Sequence, residues 1–361
     1  VIVGGGVVGC ATAYELAQSG CDVTLIARDG LAAHASGWNA GNLNPLHGTP
    51  TPLLGDALDA FDRHRTIQAE LHELGCADYA LLAVDRIFLG SEGADRAELE
   101  ATYTAFSAQA GFAADWLDRA SLLRLEPRLA ESVACGVLTR GSLSVDSIAF
   151  TCSLARAAER CGGRIVHERV VRVAVSSERV TGVQTDGRVF PCDEVVFATG
   201  PWVADLRSWL GVDLAVAPVK GEMLRLHLMG EPIAYDLTLG TACLYRRRDG
   251  EVWVGGTASH AGLECLPTDE AKECLMEGAA RILPEIRGAR LVEHAAALRP
   301  VAASGPIAER AAHWRNVYIA NGGGAKGVLL SVGIARKIRD ILMARAEHVD
   351  HTALAQRPSV A

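Results

Sequence analysis

The stretch VIVGGGVVGCATAYELAQSGCDVTLIARDG, residues 1–30, holds Gly4, Gly6 and Gly9 in the spacing G-x-G-x-x-G. Each glycine has its own duty. Gly4 permits a tight turn, Gly6 lets the backbone approach a pyrophosphate, and Gly9 lets the helix pack on the strand. The helix N-terminus then offers free N–H groups and a positive dipole end to the phosphates. The spacing alone is a weak signal. Its setting, after a strand, at the head of a helix and before a second strand, makes it a dinucleotide site. An acid normally ends that second strand and accepts hydrogen bonds from the adenosine ribose. Here Ala27 stands in its place, followed by Arg28 and Asp29. An arginine suits a 2′-phosphate and an aspartate suits a free ribose, so NADP and FAD both remain open at this point.

The elements that must position this turn follow from pattern. Residues 1–3 read as a buried strand. Residues 8–19 carry helical periodicity through Ala13, Leu16 and Ala17, and Gly20 ends the helix. Residues 22–27 form a second strand, and parallel strands need such a crossover helix. HASGWNAGNLNPLHGTPTP, residues 34–52, is a loop long enough to be functional. A helix is expected over 53–74, a strand over 80–89 and one helix over 96–118. A further helix spans 146–163, and short strands with turns at 176–177 and 186–187 follow. A strand over 194–197 runs into Ala198-Thr199-Gly200. Strands are expected across 219–257 with a hairpin at Asp249–Gly250, then a helix over 268–286. Residues 317–346 read as strand, glycine turn and helix. Strand–glycine constructions therefore occur at 4–9, 198–200 and 322–327. If they meet in space, one cofactor is held by both ends of the chain.

Bulk numbers bound the function. A chain of 361 residues suggests two domains. Hydrophobic content of 49% and charge of 22% fit a globular protein with ample core. A net charge of −8 argues against a nucleic-acid surface spread over the molecule. The one basic run, YRRRDG at 245–250, reads as a solvated hairpin. Ten cysteines are scattered singly, without C-x-x-C pairs. Cys10, Cys21, Cys152, Cys161 and Cys192 lie in apolar stretches and read as reduced, buried residues of a cytoplasmic protein, with neither disulfide framework nor metal site. No apolar run is long enough to span a membrane, and the first strand lacks the basic flank of a signal peptide.

Seven segments decide between the cofactors. SGWNAGNL (36–43), LEP (125–127), VVFATGPWV (195–203), PVKGEMLRL (218–226), DGEVWVGGT (249–257), ALRPVAASGPI (297–307) and NGGGAKGVLLS (321–331) occur in one order. Together they resemble the FAD-dependent D-amino-acid oxidase superfamily, nearest its glycine oxidase, sarcosine oxidase and D-amino-acid dehydrogenase branch. The resemblance runs from residue 1 to about 344. It implies an α/β (α+β) two-domain fold: a Rossmann-like FAD-binding domain of discontinuous segments, 1–80, 135–215 and 295–361, and a mixed-sheet substrate domain, 81–134 and 216–294.

The resemblance also implies site residues. Gly4, Gly6 and Gly9 would hold the FAD pyrophosphate, with Arg28 near the adenosine. Ser36, Asn39, Gly41 and Asn42 would run along the flavin side. Val171 would contact adenine through its backbone, and Thr199, Gly200 and Trp202 would pass near the nucleotide. Gly322, Gly323, Gly324, Ala325, Lys326 and Gly327 would present N–H groups to the flavin pyrimidine, where reduction builds negative charge. Arg299 matches the family's carboxylate-binding arginine, whose fork suits a carboxylate. Lys326 matches a lysine beside flavin and carboxylate. Tyr245 lies two residues from the family's tyrosine position, with Cys243 in register, and either could face the ligand. Departures stand at Ala27, at Gly323 for a common histidine and at Ala325 for an arginine. No cysteine adjoins Arg299, so covalent flavin attachment is not expected.

The expected activity is oxidation of the CH–N bond of an amino acid or N-alkyl amino acid. Hydride passes to flavin N5, and the imine formed is hydrolysed. The acceptor is O2, a quinone or another oxidant. His47 reads as a local loop residue, and no general base is required. A homo-oligomer stays open. Alternatives are oxidation of a 2-hydroxy acid or a modified tRNA nucleoside, a nicotinamide dehydrogenase, or an inactive flavoprotein.

Overall fold

The computed structural model describes residues 1–91, 93, 95–247 and 250–355, with side chains as far as 345. Asp249 of the expected hairpin lies outside the described residues. The described residues form three sheets.

The first sheet has six strands. β1 (Ile2–Val3), β2 (Thr24–Ile26), β7 (Arg164–Val166), β11 (Val195–Phe197) and β18 (Val317–Asn321) are parallel, and β17 (Ile307–Arg310) closes one edge antiparallel. Its central strands are buried on both faces, which is why they read as unbroken apolar runs. Side chains alternate between two cores. Ile2, Leu25 and Val196 face α1 (Val7–Gln18), α2 (Leu54–Glu73), α5 (Ser147–Arg160) and α8 (Gly327–Ala355). Val3, Ile26 and Phe197 face the other way, against α6 (Ala204–Leu210) and the small sheet of β8 (Val170–Ser176), β9 (Arg179–Thr185) and β10 (Val189–Pro191). A buried ion network ties three of these helices. Arg63 of α2 bonds Glu15 of α1 at 2.9 Å, and Arg339 of α8 reaches the other Glu15 oxygen.

The second large sheet holds β3 (Asn42–Leu43), β4 (Leu82–Gly90), β5 (Ala113–Asp118), β6 (Cys135–Ser144), β12 (Val216–His227), β13 (Asp236–Leu239), β14 (Ala242–Arg246), β15 (Glu251–Gly255) and β16 (Arg290–Ala302). Leu224, Leu226, Val252 and Val254 pack one face on α7 (Asp269–Ala280) through Leu275 and Ala279. α3 (Arg96–Ala108) and α4 (Arg119–Leu125) cover β4 to β6.

The expected helix over 96–118 is two elements. α3 stops at Ala108, Gly111 takes a left-handed φ of 83°, and the next residues pair with β6 as β5. The local sequence has helical composition; the strand exists because β6 offers it an edge. The long strand β16 has no counterpart among the elements expected from pattern. By sheet membership, residues 135–144 and 295–302 go with the second sheet, and we propose to count them with the substrate domain. Cys10 is buried as expected, whereas Cys21, Cys152, Cys161 and Cys192 are half-buried.

Candidate active site

The three glycine turns converge on one cleft. Gly4, at a φ of 127°, is the crossing point: a Cβ there would fall 2.2 Å from the Ala198 carbonyl oxygen. Asn321 donates to Gly200 O at 2.8 Å, which ties the third turn to the second. Val301 of β16 bridges Gly323. The cleft they enclose has a volume of about 500 Å³ and runs from the head of β2 to β12, β15 and β16. The N-terminal ends of α1 and α8 open onto it from the two ends of the chain.

One wall belongs to the first glycine turn and the Asn/Gly loop. Gly4 and Gly6 line the cleft, while Gly9 lies behind them, packed on the Gly4 carbonyl. Ser36 Oγ accepts the Val7 N–H at 2.9 Å. Asn39 holds the loop's shape, donating to Ala35 O and Ser36 O and accepting from Gly41 N. Asn42 and Thr199 line the cleft, and among the described residues Asn42 Oδ1 and Thr199 Oγ1 are buried without a hydrogen-bond partner. Buried polar atoms left bare are costly unless a ligand satisfies them. Ala27 is fully buried and off the cleft, whereas Arg28 and Asp29 line it. Trp202 also lines it, with the Arg28 guanidinium 4.9 Å from its ring centre. Val171 is off the cleft. It falls in a register break between Val170 and Arg172, its side chain is exposed, and Val170 with Glu168 and Arg169 takes the cleft position.

The opposite wall comes from the second sheet. Arg299 lines the cleft two residues before the bridge at Val301. Its Nη1 donates to Thr257 O at 2.9 Å, and burial lowers its pKa, with no carboxylate beside it among the described residues. Its guanidinium lies over Gly221, where a Cβ would fall 2.1 Å from Nη2. Behind it, Thr257 Oγ1 accepts from Glu222 N. Glu222 also lines the cleft. Burial pushes its carboxyl up, but donors at Thr268 and Lys220 outweigh this and hold it below the carboxylate range. A carboxylate so occupied is a strut. Tyr245 lines the cleft and Cys243 does not. Burial raises the Tyr245 pKa and keeps the phenol neutral, with Arg86 5.0 Å from the ring centre.

Lys326 lines the cleft but spends two N–H groups on the loop, at 2.7 Å to both Asn44 O and His47 O. Burial, then Arg86, lowers its pKa from 10.5 to about 8. Between those values the unfolded chain binds more protons than the native one, so this group adds stability as pH rises. Thermal unfolding should show wild type gaining on Lys326→Met from about pH 8 toward 10.5. A constant gap would remove the lysine from that linkage. His47 stacks on Phe88 at 4.4 Å, and burial, Arg86 and Lys326 pull its pKa to about 4.

Reasoning from motifs does not reach Gly221 or Thr257 as supports of Arg299, because neither is chemically reactive. The available signal for Gly221 is a lone glycine inside a strand, which marks a close approach.

A cleft with two helix N-termini, glycine turns bare of side chains and unpartnered polar atoms on its wall is a dinucleotide-cofactor site shared by two domains. The shape of the cleft and the backbone N–H groups of its glycine turns fit FAD. The sequence matches the family described as FAD dependent oxidoreductase over residues 1–341, and the chain belongs to that family. It is an FAD-dependent oxidoreductase. It is 29% identical to a glycine oxidase of Pseudomonas putida, over 97% of this chain and 96% of that protein. The crystal structure of a Geobacillus kaustophilus glycine oxidase superposes with a TM-score of 0.87 at 26% identity, covering 95% of this chain and 94% of that one. An iminodiacetate oxidase from Chelativorans sp. BNC1 shares the fold, with a TM-score of 0.84 at 24% identity over 95% of each chain. No described helix is long and apolar enough to cross a membrane.

Proposed function

We propose that the chain oxidises the CH–N bond of a small amino acid or N-alkyl amino acid bearing a free carboxylate. The observation that carries this is Arg299: a half-buried guanidinium on the cleft wall, next to the flavin-side turn, with no carboxylate of its own among the described residues. A buried cation left without a counter-ion is a site for an anion. The relatives named glycine oxidase agree with an amino acid in that place.

Bound FAD supplies the two-electron acceptor. Arg299 fixes the substrate carboxylate by two parallel hydrogen bonds and so orients the α-carbon. Thr257 O and Gly221 fix Arg299. Tyr245, kept neutral by burial, lines the same cleft. Glu222 is fully bonded and His47 does not line the cleft, and the scheme calls on no general base. The amine therefore reacts as the neutral base, and the imine leaves to be hydrolysed. With FAD bound, the electron pair would pass on to O2 or a quinone. The scattered cysteines favour a cytoplasmic location.

Anaerobic mixing of the holoenzyme with glycine, sarcosine and a panel of D- and L-amino acids tests the proposal by loss of the visible flavin band. Bleaching by at least one amine, and none by its carboxamide, is expected. Bleaching by 2-hydroxy acids alone would overturn it.

A further inference from the structure

We propose that Asp29 replaces the missing acid at position 27 as the acceptor for the adenosine ribose of FAD. Ala27 cannot serve: it is a fully buried methyl, and a Cβ on Gly5 would fall 2.6 Å from it. Asp29 stands two residues further along the same chain segment, on the cleft. Its carboxylate is fixed in advance. Arg28 Nε donates to Oδ2 at 2.7 Å, and His34 Nε2 meets the same Oδ2 at 2.7 Å. Both partners crowd one oxygen, so Oδ1 is left free among the described residues. The partners are themselves held, because Arg28 and His34 both lie on the Trp202 ring, at 4.9 and 4.5 Å. An ordered carboxylate with one bare oxygen is what a ribose hydroxyl needs as an acceptor. It also sets the cofactor choice, since a 2′-phosphate there would meet a carboxylate.

Two other carboxylates line this end of the cleft. Glu168 has both oxygens occupied, by Thr185 and Arg188. Asp205 is exposed in the first turn of α6, and no described side chain orders it. Asp29 alone of the three is both free and positioned.

The test is a cycle of protein and ligand deletions, read as flavin fluorescence when apoprotein is titrated with FAD or with its 2′- and 3′-deoxyadenosine analogues. Wild type should lose roughly tenfold in affinity for at least one analogue, the scale of one hydrogen bond to a charged acceptor. Asp29→Ala should lose a similar factor for FAD and nothing more for that analogue. Asp205→Ala should behave as wild type. Additive losses from Asp29→Ala and the analogue, or a cycle closed by Asp205→Ala, would overturn the assignment. If Asp29→Ala does not fold, Asp29→Asn serves, with a smaller loss in the same sense. Unchanged FAD affinity in Asp29→Asn, with wild-type discrimination between FAD and the analogue, then counts against the proposal.

Discussion

Replacing Arg299 by alanine should lower kcat/KM for an amino-acid substrate by roughly 10²- to 10⁴-fold, the range for removing one partner of a buried, hydrogen-bonded charge pair. The protein should remain yellow. Arg299 bonds Thr257 O within the protein, and among the described residues no hydrogen bond ties its side chain to the glycine turns. Stability should hold or rise, because a guanidinium whose pKa is lowered by burial is a cost the empty site carries. Arg299→Lys keeps the charge but not the fork, so it should recover little. A carboxamide analogue of the substrate separates charge recognition from general damage. Wild type should reject it strongly, and Arg299→Ala should barely distinguish it from the acid. Steady-state kinetics with both substrates check this. Equal discrimination in the two proteins would place the carboxylate elsewhere.

The parts legible in the sequence are those whose physics is local. A glycine turn between a strand and a helix announces itself within ten residues. The three turns can be found one by one, and their meeting can be inferred from the need to hold one cofactor. The structure shows the ties: Gly4 on Ala198, Asn321 on Gly200 and Val301 on Gly323. What pattern misses is set by tertiary partners. Residues 113–118 read as helix and form β5 because β6 lies beside them. The register break at 170–172, beside the Val171 that the resemblance places at adenine, is likewise invisible to a period-two count. Lys326 matches, by resemblance, a lysine beside flavin and carboxylate. Its hydrogen bonds to residues 44 and 47, almost three hundred positions away in sequence, are visible only in the fold. Ala27 poses a question that the sequence raises and cannot close. The orientation of Asp29, with one oxygen occupied and one bare, is a side-chain fact.

Gly221→Ala should have the second largest effect, and for a reason that alanine rarely gives. The added methyl would stand 2.1 Å from Arg299 Nη2 and 2.3 Å from Cζ. The atoms it meets are the far end of a flexible side chain. The fold can therefore absorb the methyl by moving the guanidinium, and the backbone need not shift. Gly221 pairs with Ala297 in the ladder between β12 and β16, a conformation alanine accepts. Folding and flavin content should stay near wild type, while kcat/KM falls by roughly 10- to 10³-fold as the fork leaves its position. The two residues act as one device, so their effects should not add. In the Gly221→Ala/Arg299→Ala double variant the guanidinium atoms nearest the methyl are gone, and its kcat/KM should equal that of Arg299→Ala alone. A double variant well below the single one would mean that Gly221 serves the cleft in another way, and that the guanidinium does not rest on it.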